Sequence, residues 1–180
     1  MTMKYKLKWI EKHAETVAAI TQNFTKWLGE YDPMMYYAAY YHDIGKNLID
    51  PEILDKSSIT QEEMELIKTH TTKGNQILQK QTKQSLVLLI ALEHHENYNG
   101  SGYPNKKHSS EIFYPAQIIR ITDSYAAMTE TRNYQKSLSP QQALQQISKN
   151  ANILYNPVLS QEFIKFSQNI PCQLPIKQSL

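Results

Sequence analysis

Cysteine is almost missing from this chain: Cys172 stands alone near the C-terminus. A single thiol excludes an intramolecular disulfide framework and suits a reducing compartment. Long apolar runs are missing too. The longest, Leu86 to Leu92, falls well short of the roughly 20 residues that span a bilayer. The basic stretch Met1 to Trp9 is followed by no apolar core of signal-peptide length. Nor is there a surplus of one charge, because 19 Lys and Arg are mixed with 17 Asp and Glu for a net charge of +2. That balance makes no basic stripe and argues against a nucleic-acid polymer as partner. A small anionic substrate remains compatible with it. The expectation from these absences is a cytoplasmic protein with no membrane association.

What is present is helical periodicity, along nearly the whole chain, with few alternating β-type patterns. At 180 residues the chain suits one compact domain with a proper core. That domain is expected over residues 1–170, with 171–180, carrying Pro171 and Pro175, as a loosely held tail. A first helix is expected from about Lys8 to Leu28, with Ile10, Val17, Ile20, Phe24 and Leu28 on one stripe and Gly29 as its cap. Asp32-Pro33 pairs an N-cap with proline at the first helical position, so a second helix starts there and should end near Gly45. Thr60-Gln61-Glu62-Glu63 has the form of a capping box, opening a helix that reaches His70. Further helices are expected at Thr72–Gln79, Lys83–His95 and Pro115–Thr129, then after Ser139-Pro140, and from Asn156-Pro157 to about Ser167. The one long irregular stretch, Glu96 to Tyr114, contains Asn99-Gly100-Ser101-Gly102-Tyr103-Pro104; loops of that length in compact domains are often functional.

Histidine and aspartate carry the chemistry. His42-Asp43 and His94-His95 each fall at an expected helix end, while His13, His70 and Asp123 fall on other helices. Neutral imidazoles suit iron, manganese, zinc or cobalt, and a carboxylate can bridge two such ions. A two-metal pair needs about six or seven protein ligands and can activate a water for attack on phosphorus. These seven residues supply that number. Taken singly they have plainer readings. His13 alone reads as a surface or core-edge histidine, His42-Asp43 as a helix cap facing the dipole, and His94-His95 as partly exposed helix-end residues. His108, in the polar loop, reads as exposed to solvent.

His42-Asp43-Ile44-Gly45-Lys46 and His94-His95-Glu96-Asn97-Tyr98-Asn99-Gly100-Ser101-Gly102-Tyr103-Pro104 resemble the two signatures of the HD-GYP family. Ile49 to Lys56, Met64 to His70 with Gly74, Asp123-Ser124-Tyr125 and Arg132-Asn133-Tyr134 extend the resemblance over roughly residues 13 to 166. It implies an all-α, single HD-domain helical bundle with a long glycine/tyrosine/proline loop. It also implies a metal-dependent phosphodiesterase that cuts cyclic di-GMP to linear pGpG or GMP by a metal-bridging hydroxide. Carried over by position, His13, His42, Asp43 and Asp123 would hold one metal and His70, His94 and His95 the second, with Asp43 bridging. The cofactors would be two divalent transition metals, iron or manganese, with zinc, nickel or cobalt as substitutes. Asp43 and Lys46 would act in catalysis. Arg132 would face phosphate oxygens, and Gly102, Tyr103 and Pro104 would shape the substrate lip.

The chain departs from the family at defined places. Trp9 stands where three-metal members have glutamate, which favours two metals. Asn99 and Ala126 replace aspartates, Gln117 replaces a common arginine, Gln135 replaces a basic residue, and Asn105-Lys106-Lys107-His108 replaces a glycine-rich stretch. These changes leave two alternatives: a phosphohydrolase for another cyclic or linear dinucleotide or a mononucleotide, and a catalytically inactive binding or signalling module. A homodimer or a signalling-protein partner stays open.

Overall fold

In a computed structural model of the chain, the residues described are 4–131 and 137–169. Nine α-helices form the described body: α1 (Lys8–Trp27), α2 (Pro33–Tyr41), α3 (Pro51–Leu54), α4 (Gln61–Lys68), α5 (His70–Gln79), α6 (Ser85–Glu93), α7 (Tyr114–Thr129), α8 (Pro140–Lys149) and α9 (Pro157–Asn169). Among the described residues there are no strands, only two isolated bridges, Asn99 with His108 and Ala151 with Tyr155. The expected all-α class is what the chain adopts.

Local chemistry sets most of the boundaries. Gly29 at φ 72° closes α1 as expected, with its N–H bonded to Lys26 O and that of Glu30 to Thr25 O, the paired pattern of a left-handed cap. The Asp32 side chain accepts from Met34 N ahead of Pro33, and Thr60 and Ser139 make the reciprocal boxes with Glu63 and Gln142.

Helix α6 is apolar on every side, as befits a helix buried among others. It packs against α2, α5 and α7, while α1 packs against α2 and α7. The stripe on α1 is buried at Ile10, Val17, Ile20 and Phe24. Phe24 meets Phe163 edge-on at 5.0 Å, and Tyr125 meets Phe163 at 5.2 Å, so α9 closes the core on α1 and α7. Removing a ring such as Phe24, which is fully buried, would cost about 3–5 kcal/mol.

Several expected boundaries need correction. The second helix stops at Tyr41, not near Gly45, and a 3-10 turn, Ile44–Leu48, follows. The helix from Thr60 ends at Lys68, and α5 already begins at His70, not at Thr72. Helix α6 is shorter at both ends than Lys83–His95. The Asp50-Pro51 start of α3 repeats the cap-plus-proline signal of α2 and was not used. Every one of these corrections except α3 concerns a segment next to a histidine of the candidate site.

Candidate metal centre

Three helix ends bring the central residues together. His42 is the C-cap of α2, and Asp43 follows with φ −100° and ψ 9°, so the chain turns and both side chains point inward. Gly45 makes this possible. A Cβ there would lie 1.9 Å from the carbonyl oxygen of His70 and 2.5 Å from Gly74 N, so only glycine lets the turn press against α5. That contact carries His70 to Asp43, with Nε2 3.1 Å from Oδ1. His94 caps α6 and places Nε2 3.6 Å from the same oxygen. His13, inside α1, places Nε2 2.9 Å from Asp123 Oδ1 on α7.

The seven residues fall into two groups whose candidate donor atoms lie within 4.8 Å of one another: Asp43, His70, His94 and His95 in one, and His13, His42 and Asp123 in the other. Asp43 links them, because its other oxygen is 3.3 Å from His42 Nε2. All are buried except His95, which is half-buried.

The ring nitrogens show what this arrangement fits. His42 Nδ1 is 2.6 Å from Ala39 O, and His70 Nδ1 is 2.7 Å from Ile67 O. His94 Nδ1 is 3.1 Å from both Ile90 O and Ala91 O. A carbonyl only accepts, so each Nδ1 carries a proton, and in the neutral form of such a ring the Nε2 lone pair points inward. Yet the Nε2 atoms of His70 and His94 are 3.3 Å apart, and two lone pairs facing each other repel. His42 Nε2 and Asp43 Oδ1 are buried with no aligned hydrogen-bond partner among the described residues, a cost a cation between them would remove. The donor set, imidazoles and carboxylates, suits a divalent transition metal.

Around this centre, Lys46 Nζ lies 2.5 Å from Asp43 Oδ2. Although burial opposes ionisation, Lys46 and the neighbouring imidazoles hold Asp43 well below the usual carboxylate range. Gly102 approaches Asn97 so closely that a Cβ would sit 2.2 Å from its N, which folds the loop back and stacks Tyr103 on His95 at 4.9 Å. Lys68 Nζ covers the Tyr103 ring at 5.6 Å. Two buried carboxylates pin the loop. Glu96 accepts from the Asn105 and Lys107 amides, and Glu93 accepts from Phe113 N and Lys107 Nζ. Pro104 follows Tyr103 at this rim, and His108 is exposed, as expected. Arg132 and Gln135 lie outside the described residues, as does the tail.

Sequence reasoning missed two residues. Arg120, one turn before Asp123, ties the loop to α7 through Asn97 Oδ1 and Ser124 Oγ. Glu130 Oε2 lies 2.8 Å from His13 Nδ1. The signal for Glu130 was available: it is seven residues, two helical turns, beyond Asp123, and so on the same face.

Comparison with known proteins adds the following. The HD domain family matches residues 2–159. A cyclic di-GMP phosphodiesterase of Thermotoga maritima is 34% identical over 176 residues, covering 94% of this chain and 48% of that protein. A 3'3'-cGAMP-specific phosphodiesterase of Vibrio cholerae is 36% identical over 132 residues, covering 71% of this chain and 31% of its own length. The chain thus spans about half or less of the curated relatives it matches. Among solved structures, the HDG"Y"P protein Bd1817 of Bdellovibrio bacteriovorus superposes with a TM-score of 0.72 at 20% identity, over 88% of this chain and 52% of that one. The HD domain of the Listeria monocytogenes phosphodiesterase PgpH, in complex with cyclic-di-AMP, gives 0.61 at 17% identity, over 97% and 95%. At such identities these two matches speak for the fold.

Proposed function

The chain belongs to the HD-domain family, and from that premise we propose that it is a metal-dependent phosphodiesterase that opens cyclic di-GMP. HD-domain phosphohydrolases depend on metal, and the buried histidine and aspartate groups can hold one. On this reading His13, His42 and Asp123 hold one ion, His70, His94 and His95 hold a second, and Asp43 bridges them. Iron or manganese is the fitting choice, with zinc, nickel or cobalt as substitutes. When bound, the pair supplies an activated water and neutralises charge on the phosphoryl group.

The chain's own residues do the rest. Lys46, next to Asp43, faces the phosphate oxygens and delivers a proton to the leaving ribose oxygen. Arg132 pairs with a phosphate through parallel N–H donors. Gly102, Tyr103 and Pro104 form the lip, with the Tyr103 ring stacked on His95. The observation that carries this reading is the set of inward Nε2 lone pairs and the unpartnered Asp43 oxygen, which have no purpose without a cation.

A second substrate, another cyclic dinucleotide, is favoured by the cGAMP specificity named for the Vibrio cholerae relative. The test is anaerobic purification, loading with Mn²⁺ or Fe²⁺, and incubation with cyclic di-GMP, 3'3'-cGAMP and cyclic di-AMP. Ion-exchange chromatography should show pGpG or GMP from the first. Preferential cutting of another member of the panel would reassign the substrate. Tight dinucleotide binding with two metals bound and no product from any of them would leave a binding module instead.

A further inference from the structure

Each inward-facing ring at the centre needs its second nitrogen fixed if the first is to stay aimed at a cation. His42, His70 and His94 meet that need in one way. Each follows the end of a helix and donates Nδ1–H to a carbonyl three or four residues back, at Ala39, Ile67, or Ile90 and Ala91. Carbonyls in a last helical turn have acceptor capacity to spare.

His13 is placed differently. It lies well inside the 20-residue α1, where the carbonyls at its level serve the helix. Its Nδ1 instead meets a side chain, Glu130 Oε2, at 2.8 Å, across 117 residues of sequence. Asp123 and Glu130 project from the same face of the α7 segment onto opposite nitrogens of this one ring.

We propose that Glu130 is a positioning residue for the first metal: it accepts the Nδ1 proton of His13 and so keeps Nε2 directed at that ion. The proposal rests on the two-metal reading and deepens it. Glu130 touches neither ion nor substrate. A carboxylate acceptor also makes the far nitrogen a stronger donor than a carbonyl does, and loss of such a partner typically weakens metal binding by about 10–100-fold. The second group owes nothing to Glu130, since His70 and His94 are oriented by the ends of α4 and α6 and His95 stacks on Tyr103.

The experiment compares wild type, Glu130→Ala and Glu130→Gln by anaerobic chelator competition with Mn²⁺, by electron paramagnetic resonance and by thermal melting. Wild type should bind two ions and show an exchange-coupled pair. In Glu130→Ala one affinity should fall by about 10–100-fold while the other holds, and at two equivalents the spectrum should turn to that of isolated ions. Glu130→Gln, whose amide oxygen still accepts the proton, should recover to within several-fold of wild type. Equal loss at both positions alongside a lowered melting temperature would overturn the proposal, as would two unchanged affinities. Wild type that binds no manganese, iron or zinc would instead bring down the two-metal reading on which the proposal stands.

Discussion

On one side of Asp43, His13 is clasped between Asp123 and Glu130; on the other, His70, His94 and His95 crowd around a single Asp43 oxygen. The residue types are the same, yet the balance of charge is reversed. Burial disfavours a charged His13, but the hydrogen bonds it donates to Asp123 and Glu130 outweigh that and push the ring up to about 9. For His94, burial dominates, the neighbouring imidazoles of His42 and His70 add to it, and the nearby Asp43 carboxylate does not compensate, so the ring is pushed down to about 4. His95 is lowered well below the ordinary histidine value, by burial first and then by the neighbouring His94 and His70 imidazoles. Without metal, then, His13 holds a proton where a cation would sit, whereas His94 and His95 stand bare. What distinguishes the two positions is what an arriving ion must displace.

The largest effect should come from the residue the two groups share. Asp43→Ala removes the link and leaves crowded imidazoles with no counter-charge. Metal content should fall below one ion per chain, and turnover should drop by about 10³-fold or more, the scale of losing a central electrostatic partner of a transition state. Elemental analysis and product chromatography on the same sample check this. Two retained ions with full turnover would show that Asp43 bridges nothing.

Next in size are the single-sided changes. His94→Gln should empty the second position and spare the first; His13→Gln should do the reverse. Each variant should hold one ion and lose turnover by at least about 10²-fold, since a direct ligand matters no less than the partner behind it. Metal stoichiometry after gel filtration, with melting curves to confirm folding, separates the outcomes. If either variant lost both ions, the division into two positions would be wrong.

The sequence discloses these groups unevenly. Cap chemistry is local, so Asp32-Pro33, Thr60 and Ser139 announce their helices, and the seven histidines and aspartates can be picked out by type and place. The ends of the helices that carry them cannot. Whether α2 stops at Tyr41 or runs on depends on Gly45 meeting the backbone of His70 and Gly74, a contact between turns that no propensity encodes. The spacing of Glu130 from Asp123 is legible, but its partner is not, for a related reason. Its partner is on another helix, and only the packing of α1 on α7 puts a carboxylate beside a ring that has no free carbonyl of its own. The loop was legible as irregular, but that Glu93 and Glu96 hold it depends on contacts with residues 9 to 20 positions further on, which the sequence alone does not display.

The effect that needs no substitution, and is smallest per step, is also the most direct probe of the contrast between the halves. An ion entering the first position at neutral pH must expel the proton that His13 holds, because its folded value of about 9 lies above the ordinary one of 6.5. Affinity there should therefore climb by about tenfold per pH unit between 6.5 and 9 and then level off. His94, already deprotonated above its value of about 4, imposes no such competition, so affinity at the second position should stay flat over the same range. The sign for stability follows from the same two values. In metal-free protein the His13 contribution is fully present below 6.5 and is lost as pH rises through about 9; the His94 contribution is present above 6.5 and is lost as pH falls towards 4. Chelator competition in buffers from pH 6.5 to 9 should resolve one sloping and one level affinity. Two parallel slopes would mean that His13 is not held protonated by its carboxylates, and the electrostatic distinction between the two positions would go with it.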